Sequence, residues 1–155
     1  MLNPEKTRYI TGVSALNIPT PDNRQPDWHA FGMWQKGRFS QNLKTVNAPT
    51  DILGDRGLRD VTEIFRLNGF ARKDGEPVYC ASPERALCDL GYSLIKSHGR
   101  IHFKIDDFLV EEFDLIELKI YLDLLKSTMP KDEYVLLEKA LTPSAENRGN
   151  GAIAK

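Results

Sequence analysis

The stretch Val78-Tyr79-Cys80-Ala81-Ser82-Pro83-Glu84-Arg85-Ala86-Leu87-Cys88-Asp89-Leu90 decides the fold, because strand character ends in it and helix character begins. Val78-Tyr79-Cys80 reads as a short buried strand, since β-branched and aromatic side chains fit a pleated, half-buried surface. Ser82-Pro83-Glu84 then reads as a helix start. Ser82 can accept from an early amide as N-cap, Pro83 at the first position forfeits no bond, and Glu84 complements the positive helix end. Behind them Ala86, Leu87, Leu90, Leu94 and Ile95 recur at three- and four-residue spacing and make one apolar face. Gly99 predicts an end near Ser97.

Downstream the pattern stays helical. Asp106 or Asp107 is expected to cap a short turn carrying Phe108 and Leu109. Asp114 opens an amphipathic helix through Leu115, Leu118, Tyr121, Leu122 and Leu125. Met129-Pro130 interrupts, and Lys131 to Leu141 forms a last helix with Tyr134, Leu137 and Leu141 inward. The short connection predicts an antiparallel pair.

Upstream the chain is irregular, broken by Pro19, Pro21, Pro26 and Pro49 and by several glycines. Arg8 to Val13, Trp28 to Gln35, Phe39 to Val46 and Val61 to Leu67 are strand candidates, the last also readable as a short helix. Asn17 to Pro26 is expected to be an extended loop, because three prolines remove donors and fix φ. Asn68-Gly69 and Asp74-Gly75 are turn signals. The expected class is α+β: short strands of mixed direction in the N-terminal half, packed against a C-terminal group of three to four helices. Residues 1–142 are read as one domain, and 143–155 as a disordered tail with almost nothing to bury.

Composition bounds the function. The chain has 155 residues, 21 Lys+Arg against 22 Asp+Glu, and two cysteines. Near-neutral charge excludes a basic nucleic-acid coat or an acidic solvating chain. Cys80 and Cys88 form no disulfide framework, which points to a reducing cytoplasm. No apolar run is long enough to span a bilayer, so no membrane partner is expected. The neutrality is uneven along the chain. Lys36 to Lys73 carries eight basic residues against four acids, and Asp106 to Leu118 carries six acids and no basic residue. Nucleic acid is therefore a conceivable partner for the basic Lys36–Lys73 segment.

Catalytic and metal signatures are weak. Cys80 and Cys88 fit no zinc spacing and read as small core residues. His98 and His102 are separated by Gly99, which argues against one helical face. Ser14 lacks the second glycine of a nucleophile elbow, and no phosphate-binding glycine loop occurs. The acidic pairs Asp106-Asp107 and Glu111-Glu112 read as solvated faces. No cofactor, no metal and no enzymatic activity is expected. Two constellations stand out. Asp27-Trp28-His29 with Trp34 is either core filling or a recognition surface, since Trp is a favoured interface anchor. Arg85 and Asp89, one helical turn apart, suggest a tertiary contact. Arg85 sits at the wrong end for the helix dipole, so it should meet a structural acid or a partner's carboxylate or phosphate.

The segment Tyr9-Ile-Thr-Gly-Val-Ser-Ala-Leu-Asn-Ile-Pro19, the triplet Asp27-Trp28-His29 and the run Arg85-Ala-Leu-Cys-Asp-Leu90 resemble, in this order, a family of small bacterial proteins. Its members are encoded beside an AbiEii-type nucleotidyltransferase toxin. Ala81 to Leu90 is also similar to the helix start of AbiEi-like antitoxins. The likeness covers roughly residues 9–90. It implies an antitoxin of an abortive-infection, phage-defence pair, acting on that nucleotidyltransferase. AbiEi antitoxins carry an N-terminal winged helix, for which this sequence has no room before Tyr9, so the neutralising role alone is carried over. The expected partner-binding residues are Asp27, Trp28, His29, Trp34, Arg85 and Asp89. Two other readings stay open. One is a nucleic-acid-binding transcriptional regulator of its own operon, the other a metal enzyme centred on Asp27, His29 and Asp89.

Overall fold

The computed structural model of the chain describes residues 9–16, 18, 49–67, 75–108 and 113–146. The strand candidates Trp28 to Gln35 and Phe39 to Val46 lie outside these residues. So do the Asn68-Gly69 turn and the last nine residues of the tail.

In chain order the described elements are β1 (Tyr9–Ile10), α1 (Gly12–Leu16), α2 (Thr50–Leu53), β2 (Leu58–Asp60), α3 (Thr62–Leu67), β3 (Tyr79–Ala81) and α4 (Pro83–His98). A 3-10 turn (Ile105–Asp107), α5 (Leu115–Lys126) and α6 (Lys131–Leu141) follow. The class is α+β. The sheet has the order β1-β3-β2. β1 runs parallel to β3, with Tyr9 opposite Tyr79, and β2 runs antiparallel to it, with Arg59 opposite Cys80.

Helix α4 begins where its signals place it. The Ser82 hydroxyl accepts from the Arg85 amide at 3.2 Å, and Pro83 takes the first position. It ends at Gly99, whose amide donates to the Ile95 carbonyl. Asp114 caps α5 by accepting from the amides of Ile116 and Glu117. The Asp107 carboxylate closes the 3-10 turn on the Lys104 amide, so Asp107 does the capping there. Asp106 instead accepts from the Ser144 amide at 3.0 Å, which holds the chain after α6 beside that turn.

Three expectations near the sheet need correction. The strand expected over Arg8 to Val13 is confined to Tyr9–Ile10, because Gly12 takes φ +64 and turns the chain directly into α1. Such a φ is nearly free for glycine and strained for other residues. Val61 to Leu67 contains helix α3, the alternative reading of that stretch, and the strand beside it is Leu58–Asp60. The Val78-Tyr79-Cys80 strand is shifted by one residue, since Val78 instead accepts the Val61 amide on its carbonyl.

Two apolar cores share α4. Leu87, Cys88 and Ile95 face α5 and α6, where Leu118, Tyr121, Leu125 and Leu137 are buried. Ala86 faces the sheet side, with Tyr9, Ile10, Ile18, Val61, Phe65 and Cys80. Successive helical positions point about 100° apart, so one helix can serve both layers. Each fully buried Leu contributes roughly 1.5–3 kcal/mol relative to exposure. Both cysteines are buried, as expected of small core residues. No helix among the described residues is long and apolar enough to cross a membrane.

Candidate functional site

At the seam between the two cores, side chains that cannot be left alone in an apolar interior come together. Arg85 is 0% exposed and Asp89 1% exposed. Their i,i+4 spacing on α4 brings Arg85 Nε to Asp89 Oδ1 at 2.8 Å. The guanidinium has five N–H donors, and four find oxygen acceptors. Besides Asp89, Nη1 donates to the carbonyls of Gly54 (2.9 Å) and Arg56 (2.8 Å), and Nη2 donates to the Tyr9 hydroxyl (3.1 Å). The second carboxylate oxygen of Asp89 accepts from the Tyr9 hydroxyl at 2.8 Å and from the Thr11 hydroxyl at 2.7 Å. The Arg85 guanidinium carbon also stands 5.5 Å from the centre of the Tyr9 ring.

Each position follows from local sequence. Tyr9 and Thr11 are two residues apart at the end of a strand, so both side chains project to one side. The Gly54–Gly57 turn aims its carbonyls inward. Gly57 has φ +73, and a Cβ there would stand 2.5 Å from the Tyr121 hydroxyl oxygen and 2.9 Å from Ser82 Oγ. No other residue combines that backbone with that closeness. The Gly57 carbonyl accepts from the Ser82 amide at 2.6 Å, which ties the turn to the start of α4.

A second buried acid adjoins the seam. Glu84 is 6% exposed, and its Oε1 accepts from the Asp114 amide at 2.7 Å. It therefore links the first turn of α4 to the residue that caps α5. Nearby, the Tyr121 hydroxyl donates to Glu117 at 2.5 Å.

The electrostatics follow from burial. Desolvation pushes the Asp89 carboxyl above its ordinary range, while Arg85 and the two hydroxyl donors pull it back. Every group around Asp89 is a donor, an arrangement that satisfies the ionised form. Burial also raises Glu84, opposed by the Asp114 amide. Tyr9 is raised by burial and then by Asp89, so its hydroxyl stays protonated and keeps donating. The Cys80 thiol is pushed up to about 12 by burial, and the Cys88 thiol is raised further for the same reason. Neither is a nucleophile at neutral pH.

The structure thus brings together Arg85 and Asp89, and places both where neither presents surface to a partner. Asp27, Trp28, His29 and Trp34 lie outside the described residues. Sequence reasoning missed Tyr9 and Thr11 and the carbonyls of Gly54 and Arg56. The available signal was the two hydroxyls spaced two apart in the Tyr9–Pro19 segment. Among the described residues no group of three His, Cys, Asp or Glu side chains is placed to hold a metal ion.

Fold and site together define a small α+β domain clasped at its seam by a buried, fully partnered ion pair. No family model, no curated protein and no solved structure matches the chain.

Proposed function

We propose that this chain is the antitoxin of an AbiE-like pair, a non-enzymatic cytoplasmic protein that neutralises a nucleotidyltransferase toxin encoded beside it. One observation supports this reading above the others. The segments Tyr9–Pro19 and Ala81–Leu90, through which the sequence resembles AbiEi-like proteins, meet at the clasp across about 80 residues of chain. A motif pair that spends its polar groups on each other builds a scaffold. Arg85 and Asp89 then act as positioning residues, and contact with the partner falls to other surfaces. Asp27, Trp28, His29 and Trp34 follow the Tyr9–Ile18 arm in sequence and are the proposed contacts.

The test is growth after induction of the neighbouring nucleotidyltransferase, with and without this chain. Restored growth is expected, and arrest in the presence of soluble chain would overturn the proposal. Co-purification of the two proteins would assign the effect to direct contact.

A second reading, a nucleic-acid-binding regulator of the same operon, is favoured by the exposed Arg56 and Arg59 in the basic segment. It expects affinity for operator DNA that falls steeply with salt, because phosphate contacts release counterions. Absence of binding at low salt would remove it.

A further inference from the structure

On the far side of the molecule from the sheet, α5 and α6 enclose a groove of about 270 Å³. Leu115 and Leu118 from the start of α5 and Leu141 from the end of α6 share its lining, which fixes the two helices as antiparallel. Leu122 and Tyr134 continue it. On the same helix, Ile116 and Ile120 are 69% and 42% exposed and stand one turn apart. At about 100° per residue they form a ridge beside the groove, with Lys119 and Asp123 between ridge and groove. Those two charges lie 3.1 Å apart on a fully solvated flank.

We propose that this face is a self-docking surface. A second copy of the chain, related by a two-fold axis running along α5, seats its Ile116–Ile120 ridge in the groove of the first. The same operation places the first copy's ridge in the second copy's groove, because ridge and groove lie side by side on one helix. The intervening charges are self-complementary. Across the axis each Lys119 meets the other copy's Asp123, so the pairing forms twice.

The size of the groove argues for side chains as occupants. It falls below the roughly 300–1,000 Å³ that small-molecule sites use. The ridge and groove also fall short of the roughly 800 Å² per partner of a stable interface. The association is therefore weak and concentration-dependent, with Kd between roughly 10 µM and 1 mM.

Sedimentation velocity of the full chain over that concentration range tests this. The mass is expected to rise from 17.6 kDa toward twice that value. Ile116→Glu and Ile120→Glu should each raise Kd at least ~10-fold, since each removes an anchor from the centre of the contact. Lys119→Asp should weaken the dimer, and the swap Lys119→Asp with Asp123→Lys should restore it. All four positions are exposed, so helicity and thermal midpoint serve as folding controls and should stay at wild type. A monomer across the whole range would overturn the proposal, as would a dimer indifferent to the ridge variants. A monomer that instead binds the neighbouring nucleotidyltransferase, and loses it with Ile120→Glu, would assign the groove to that partner and overturn self-docking.

Discussion

Replacing Asp89 by Ala removes one half of a pair that is 0% and 1% exposed and leaves the Arg85 cation without its counter-charge. Arginine does not deprotonate in a protein, so the charge stays. The carbonyls of Gly54 and Arg56 still accept from Nη1, but Nε loses its acceptor, and the hydroxyls of Tyr9 and Thr11 lose theirs. Breaking a buried pair in this way costs about 3–5 kcal/mol. A domain of this size has a total stability of roughly 5–15 kcal/mol. The urea midpoint should therefore fall by on the order of 2 M, given the usual dependence on denaturant. Circular dichroism at 222 nm against urea reads it directly. Arg85→Met isolates the opposite defect, since it leaves the carboxyl buried with two hydroxyl donors and no cation.

Its cost should depend on pH, with a sign that can be worked out. Without Arg85 the folded-state pKa of Asp89 rises further above the unfolded value, so the folded state holds the proton more tightly. The stability attached to that proton is fully present at low pH and is lost as pH rises through the folded pKa. The gap between Arg85→Met and wild type should narrow as the solution is acidified and widen toward neutral pH. The double variant Arg85→Met with Asp89→Leu should recover part of the loss, because no unpaired charge remains. An Asp89→Ala cost under about 1 kcal/mol, the range of a solvated pair, would refute the reasoning.

Three further outcomes follow from the geometry. Gly57→Ala should cost about 2–4 kcal/mol, from a strained positive φ and from crowding against the Tyr121 hydroxyl, read as a shift in thermal midpoint. Cys80 and Cys88 should resist alkylation in the native protein near pH 8 and react stoichiometrically in denaturant, as counted by mass spectrometry; fast native labelling would contradict their burial. In the wild-type chain the raised Asp89 and Glu84 carboxyls contribute stability that is greatest below the unfolded carboxyl pKa and is lost as pH rises through their folded values. Acidification toward roughly pH 5 should therefore draw no loss of urea midpoint from these two groups.

The helical half was legible because its signals are local. Ser82, Pro83 and Asp114 sit within a turn of the amides they serve, and the apolar spacing of α4, α5 and α6 repeats often enough to be seen. The sheet was less legible for the opposite reason. Strands of two and three residues show no period, and Tyr9–Ile10 forms a strand because β3, some 70 residues later, offers it an edge. The Arg85–Asp89 pair was readable from its four-residue spacing, but its depth was not. That depth is set by the Gly54–Gly57 turn and by Tyr9 and Thr11, contacts separated by 29 to 80 positions in the chain. Spacing on one helix carries no record of what closes over it.

The contact role proposed for the chain, with the clasp as its scaffold, is tested most directly by plating. Cells carrying the inducible neighbouring nucleotidyltransferase are plated with this chain co-expressed, and with empty vector. The account expects colony counts with the chain to match the uninduced control, while the vector strain falls by orders of magnitude. Equal arrest in both strains, with the chain soluble and folded, would contradict it.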